Sequence, residues 1–384
     1  MAQTLLSVLL RLGTVEKIKT CADSSGQELI LRSLTTQSFR NLGAEEVAFH
    51  DQVNIVVGRN GQGKTNLLEA IYFLATTKSF RTARIGSVFQ FGSPSVFVTG
   101  LLHRFGVDKT LSVGLETAET RRRALLINGE RVTLPAYVNA MSVFAYSSAR
   151  LDILRGAPEE RRRFLDRGIA SIDPAYLEAV SRYGRALRQR NALLASGSTS
   201  SLNAWDEELS NAAAPLQRGR AAYAEALGSA FAEIVAEHGY HIRNLSIDYK
   251  PSAVDELPRI RREELRARMS LVGPQRDLLA FSVDGRQAAE VLSGGEQKMV
   301  VLFLKFAKLA LFRRRFDEAA LFLLDDIDAE LDLEILEQLL LKLPAQTQVF
   351  ATSAKERFLR TLSAGPHRRL VIENGRVAAA TDSV

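Results

Sequence analysis

"VNIVVGRNGQGKTNLLEAIYFLAT", residues 53–76, decides the fold. "VNIVVG", 53–58, is a compact β-branched run that closes on glycine. In "KTNLLEAIYFLAT", 64–76, the apolar residues Leu67, Leu68, Ile71, Tyr72 and Leu74 recur at helical spacing. The stretch therefore reads as strand, loop, helix. Between strand and helix, Gly58, Arg59, Asn60, Gly61, Gln62, Gly63, Lys64 and Thr65 fill the pattern G-x-x-x-x-G-K-[ST]. Glycines let backbone N–H groups curl round phosphates, and a helix start favours their negative charge. Lys64 then reaches the β and γ phosphates, and the Thr65 hydroxyl is a magnesium ligand.

Two further stretches bear on the same chemistry. "LFLLDD", 321–326, is an apolar strand ending in two carboxylates. Asp325 is placed to hold magnesium directly or through water, and Asp326 to orient the attacking water or take its proton. Many strands end in aspartate, so the weight of this pair comes from its coupling to the first loop. "LSGGEQKM", 292–299, opens a helix with Ser293, Gly294, Gly295, Glu296 and Gln297, whose exposed N–H groups and hydroxyl form a second place for phosphate oxygens. One nucleotide needs one cradle from its own chain. The economical use of the second is to close over the nucleotide of another copy, so that two chains, head to tail, bury two nucleotides.

Outward from these loops the pattern changes by region. Residues 1–27 read as an N-terminal extension, because the first alternating run that belongs with the phosphate-loop half is "LILRSLTTQSF". From 85 to 150, short alternating runs with Asn128-Gly129 at a tight turn predict an antiparallel sheet. "DPAYLEAVSRYGRALRQRNALLASG" predicts a helix capped by Asp173 with Pro174 first, and Leu177, Val180, Tyr183 and Leu187 on one face. A polar break at 196–203 precedes a second helix, Trp205 to Glu237, with Leu216, Tyr223, Leu227, Phe231 and Ile234 apolar. This helical hairpin separates the two glycine-rich loops. After 240, strands and helices alternate again and complete the α/β layer begun by the first half. The expected domains are thus 28–155 with 240–384 as a head, and 156–239 as an inserted helical arm.

The 384 residues carry a formal net charge of +6, 46% hydrophobic and 24% charged residues, which fits a globular chain and argues against a disordered or fibrous one. Arginines cluster at 121–123, 161–163, 261–262 and 313–315. Such clusters attract a polyanion, and equally they form solvated faces. The one cysteine, Cys21, allows no internal disulfide and no metal cluster, as in a reducing compartment. "LLSVLLRLG" is too short to span a bilayer and has no basic residue before it, so a cytoplasmic protein is expected.

Phosphate loop, "LSGGE" and "LLDD" in that order resemble the ABC-type ATPases. By that resemblance Asp332, in "DAELD" at 328–332, lies on the loop that crosses a dimer interface, and Thr352 and Ser353 sense the γ phosphate. More specifically, the chain resembles the RecF family over about residues 28–375. The matching stretches are "SFRNL" (38–42), "NGQGKTNLLEAIYFLATTKSFRT" (60–82), "GAPEERRRFLDRGIASIDPAYLEAVSRYGRALRQRNALL" (156–194) and "GPQRD" (273–277). The resemblance implies an ABC-type P-loop head of mixed and antiparallel sheets with an inserted helical arm. It also implies ATP and Mg2+ as cofactors, slow and DNA-stimulated ATP hydrolysis, and an ATP-dependent homodimer. The expected partners are double-stranded DNA and gapped duplex, with RecR and RecO-like mediators that help load RecA at single-strand gaps and start the SOS response.

Three departures from the family pattern stand out. Gly294-Gly295-Glu296 replaces the usual glutamines around the signature glycine. Ala145, Tyr146, Ser147, Ser148, Ala149 and Arg150 stand where acidic residues are usual, and residues 1–27 have no counterpart. A transporter ATPase leaves the 156–194 block unexplained. An SMC-type protein would insert hundreds of heptad-patterned residues where this chain has a short hairpin. An ABC-type or SMC-like module of another complex, using ATP as a dimerisation switch, is the alternative reading. Asp326 is one methylene shorter than the glutamate common there, which fits slow hydrolysis.

Overall fold

The computed structural model describes residues 29–82, 84–117, 122–148, 151–242, 244–316, 318–327, 333–341, 343, 347–353 and 365–383. The 1–27 extension with Cys21, Arg121, Ala149, Arg150 and the whole of 328–332, including Asp332, lie outside them. The chain forms two compact units, one of residues 1–150 with 317–384 and the other of 151–316.

In the first unit, a six-stranded sheet runs in the order Arg376–Ser383, His367–Glu373, Val53–Val57, Gln348–Thr352, Leu321–Asp325, Val143–Ser147. All neighbours are parallel except the edge pair of 367–373 with 376–383. Its inner strands "LFLLD" and "QVFAT" are buried at every residue, as strands covered on both faces must be. A second, antiparallel sheet of six strands is built on Leu29–Gln37, Ser95–Arg104, Val107–Glu116 and Arg122–Ile127. Its hairpin turns at Asn128 and Gly129, both at positive φ as the sequence predicts. The Lys64–Thr76 helix is buried among residues of both sheets, with Leu67, Leu68, Ile71 and Leu74 at most 2% exposed. Burying each such side chain stabilises the unit by about 1.5–3 kcal/mol.

The second unit holds the helices Pro158–Ile172, Tyr176–Ser196, Leu202–Glu237 and Gly294–Phe316, with a three-stranded antiparallel sheet. The helical hairpin is present, though its first helix begins at Tyr176. Asp173 ends the preceding helix, and its carboxylate accepts from the Ala175 N–H at 3.1 Å. The buried face is Tyr176, Tyr183, Ala186, Arg190 and Leu194, with Leu177, Val180 and Leu187 only half-buried. Arg190 is fully buried because Asp206 and Glu264 accept from its guanidinium at 2.7 and 2.5 Å. The unit is wider than the 156–239 insertion expected from sequence, since the strands 245–250 and 278–283 pair with each other and not with the parallel sheet. Leu202–Glu237 packs on both the Gly294–Phe316 helix and the 245–250 strand, which draws the signature segment into this unit.

Candidate nucleotide site

Parallel strands bring their carboxyl ends to one edge, where open α/β sheets place their ligands. Here the register sets Asp325 beside Ser147, and Thr352 beside Val56, one step before Val57 and the glycine-rich loop. Three hydroxyls from three separate segments converge on Asp325. Thr65 Oγ1 donates to Oδ1 at 2.8 Å, Thr352 Oγ1 donates to the same oxygen at 3.0 Å, and Ser147 Oγ donates to Oδ2 at 3.2 Å.

Asp325 is 4% exposed. Burial raises its pKa, the three hydroxyl bonds work in the opposite direction, and the neighbouring Asp326 charge adds to the rise. Asp326 is exposed and sits at positive φ, with its own N–H donating to Thr352 Oγ1 at 2.8 Å. Ser148 Oγ donates to Asp326 Oδ2 at 3.2 Å. The same segment buries Tyr146, whose hydroxyl pKa rises by burial and by the nearby Asp326 charge.

The phosphate loop rests on elements far away in sequence. Lys64 Nζ donates to the carbonyls of Gly58 and Arg59 at 2.7 and 3.1 Å. Gln62 accepts from Gly375 N through its carbonyl and from Asn374 N through its side chain, at 2.8 and 2.6 Å. A Cβ on Gly58 would lie 2.4 Å from the Ile372 carbonyl, and one on Gly375 would lie 1.7 Å from that of Asn41. "SFRNL" and "KSFRT" meet on Glu69, which is fully buried in the loop's helix. Arg40 grips its carboxylate with two bonds of 2.9 and 2.8 Å, Ser79 Oγ donates at 2.5 Å, and Arg81 lies at 3.4 Å. Bidentate arginine pairs of this kind fix geometry as well as charge.

The signature lies in the second unit and is satisfied internally. Glu296 N donates to Ser293 Oγ at 3.3 Å, and Ser293 N donates to Glu296 Oε2 at 2.7 Å, a reciprocal cap. Of the groups read from sequence as open to phosphate, the Ser293 hydroxyl therefore takes the Glu296 N–H, and the Ser293 N–H is taken by the chain's own Glu296 carboxylate. Gln297 is buried, and its amide donates to the carbonyls of Ala289 and Leu292 while Arg155 donates to its oxygen. Ser353 is buried beside Thr352.

Sequence reasoning missed Ser147 and Ser148 as partners of the two aspartates. The available signal was two hydroxyls closing an apolar strand in place of the family's acidic residues. Among the described residues no cluster of three His, Cys, Asp or Glu side chains offers a metal cage. Thr65 and Asp325 nevertheless set a hydroxyl and a carboxylate oxygen 2.8 Å apart, the hard oxygen pair that suits magnesium shared with phosphates. Among the described residues no helix is long and apolar enough to cross a membrane.

A parallel sheet with a glycine-rich loop on one strand, a buried aspartate on the next but one, and a helix-opening signature defines an ABC-type P-loop ATPase fold. The RecF/RecN/SMC N terminal domain family matches residues 30–367. The DNA replication and repair protein RecF of Geotalea daltonii is 32% identical over 363 residues, covering 90% of this chain and 99% of its own. That of Myxococcus xanthus is 34% identical over 374 residues, covering 92% and 98%. A solved structure of the recombination mediator protein RecF with ATP, from the RecFOR pathway, superposes with a TM-score of 0.82 at 24% identity, covering 95% of this chain and 100% of that one. An SMC head bound to the C-winged helix domain of ScpA gives 0.52 at 16% identity, covering 92% and 97%. The chain belongs to the RecF family.

Proposed function

We propose that this protein is an ATP-dependent double-stranded DNA-binding protein of recombinational repair and replication maintenance, a slow ATPase that acts as a switch. Membership of the RecF family supports DNA repair and recombination as the setting. The observation that carries the switch is the convergence of Thr65, Thr352 and Ser147 on one buried carboxylate, Asp325, which joins the phosphate loop to two strand ends. In this reading, residues 58–65 cradle the phosphates of ATP, and Thr65 with Asp325 hold magnesium, which would neutralise phosphate charge. Asp326, exposed and steadied by Ser148, orients the attacking water, and Thr352 with Ser353 senses the γ phosphate. The signature segment 293–297 closes over the nucleotide of a second copy, with Ser293 and the Gly294 and Gly295 backbone facing the phosphates and Asp332 crossing the interface. RecR and RecO-like mediators then act with the cytoplasmic dimer at gapped duplex, where it helps load recombinase and start the SOS response.

Much of the basic surface is committed to internal bonds. Arg161 donates to the Leu154 carbonyl, Arg162 to that of Asp277, and Arg163 pairs with Glu159 and Glu160. On the Leu257–Ala267 helix, by contrast, Arg259, Arg262 and Arg266 are exposed at spacings of three and four, and no hydrogen bond or ion pair ties them to another described residue. This ridge suits phosphate contacts, which are sequence-independent and salt-sensitive.

Sedimentation with Mg-ATP, with and without a gapped duplex, tests the reading. Wild type should dimerise with ATP and then bind DNA, Ser293→Arg should stay monomeric, and Arg259→Glu/Arg262→Glu should dimerise but lose DNA. Equal DNA binding by a wild-type monomer with or without ATP would overturn it.

Magnesium binding should depend on pH. Because the folded pKa of Asp325 is raised, the protonated form is favoured in the folded chain, and the stability this contributes is full below the unfolded value and lost as pH rises through the folded one. Above that point the buried charge is a cost that a cation offsets. Mg-ATP affinity should therefore rise with pH from the acid side and level off once Asp325 is ionised. Asp325→Asn should flatten that acid limb in a titration followed by calorimetry, and an unchanged limb in the variant would assign the dependence to another group.

A further inference from the structure

The reciprocal cap of the signature has a third member. His241 Nε2 lies 2.8 Å from Glu296 Oε1, while the other carboxylate oxygen takes the Ser293 N–H. The carboxylate is thus held at both oxygens on the helix start. These bonds, the one to His241 first, hold its pKa down at about 2. His241 is placed by Tyr240, whose ring stands 4.5 Å from its own and 5.2 Å from Phe303 on the signature helix. Both residues follow the end of the long Leu202–Glu237 helix, and the turn between is tied back by His238 N to Ile234 O and Tyr240 N to Val235 O. His241 is well exposed, its side chain at 64%.

An anion already uses one N–H of this helix start, that of Ser293. A helix start stabilises one negative charge through a small set of N–H groups, and a second anion there meets both a used donor and a like charge. We propose that Glu296, held by His241, is an intramolecular stand-in for a second copy's terminal phosphate, a latch that sets how readily the signature closes. This rests on the ATP-dependent dimer proposed above and names the residues that regulate it. Closure requires Glu296 to leave Ser293, and His241 opposes that departure by fixing the carboxylate where it caps. Because His241 ends the arm, displacement of the arm is a route by which a bound partner releases the latch.

The test measures the dissociation constant of the Mg-ATP dimer by sedimentation, together with ATP affinity at protein concentrations below association. Glu296→Gln keeps an oxygen for the Ser293 N–H and removes the charge, so the dimer should tighten about three- to fivefold, the worth of one charge at a helix start. His241→Ala should tighten it in the same direction by less. His241→Gln, which retains a donor, should restore the wild-type value. In the Glu296→Gln background, His241→Ala should add nothing, as expected for two residues acting through one contact. ATP affinity of the monomer should not move in any of these variants, because in the proposed dimer the signature meets the other copy's nucleotide. An unchanged or weakened dimer in Glu296→Gln, or an equal effect of His241→Ala in both backgrounds, overturns the latch while leaving the dimer intact. No ATP-dependent dimer in wild type or any variant overturns the switch reading and the latch with it.

Discussion

Lys64→Ala is expected to lose Mg-ATP binding by roughly a hundredfold, about 3 kcal/mol, as read by calorimetric titration. Two separate contributions disappear together. The first, in the proposed site, is the cation that would face the β and γ phosphates as a charge-assisted partner. The second is preorganisation, since Nζ donates to the Gly58 and Arg59 carbonyls and so spans the loop from inside. The loop would not collapse without it, because Gln62 remains tied to Asn374 and Gly375 and Glu69 remains gripped by Arg40. The melting temperature without nucleotide should therefore change by only a few degrees, in line with partly exposed hydrogen bonds worth about 1 kcal/mol each. An affinity loss below about threefold would mean that the loop does not cradle phosphate in this chain. A large fall in melting temperature would instead assign Lys64 to the scaffold.

The phosphate loop was legible because everything that defines it is local. Strand, glycines, lysine and helix lie within 53–76, and the apolar spacing of the helix is matched by the residues that are buried. Asp325 and Thr352 needed more, since their meeting depends on parallel pairing of 321–325 with 348–352, and Ser147 joins them only through the pairing with 143–147. Register between strands some 180 residues apart leaves no mark at either position. The strands 245–250 and 278–283 show how a local pattern was under-read. "LSIDYK" alternates more buried apolar residues with exposed polar ones, the sign of a strand covered on one face, whereas "LFLLD" and "QVFAT" are buried at every residue and carry consecutive apolar residues. That contrast separates the small antiparallel sheet from the parallel one. Arg190 was invisible for a different reason, because apolar periodicity assigns a charge to the outside and its partners Asp206 and Glu264 lie in other elements.

Asp277→Ala should cost about 3–5 kcal/mol of stability, the cost of breaking a buried ion pair by removing one partner. Asp277, the last residue of "GPQRD", is fully buried and accepts from four groups, two on the Leu202–Glu237 helix and two at the end of the 245–250 strand and just after it. Oδ1 takes the Gln217 amide at 2.9 Å and the Ser252 N–H at 2.8 Å, and Oδ2 takes Arg220 at 2.8 Å and the Tyr249 hydroxyl at 2.5 Å. Arg220 also reaches both oxygens of Asp166 and the Pro274 carbonyl. Burial works against its charge, and the bonds to Asp166 and Asp277 more than restore it, so its pKa is raised. Removing the Asp277 carboxylate would leave that guanidinium buried with half of its anionic partners and strand the Tyr249 hydroxyl, whose pKa burial already raises. Asp277→Asn keeps an oxygen for two of the donors and should cost less than the alanine change. Urea unfolding followed by circular dichroism would read both, with Arg259→Glu as a surface control near zero. A basic motif beside an aspartate invites a role in DNA contact, and that role predicts the opposite outcome, with normal unfolding and a salt-dependent loss of DNA binding. The burial of Asp277 and its four donors place it on the side of the scaffold that holds the arm helix to its neighbours.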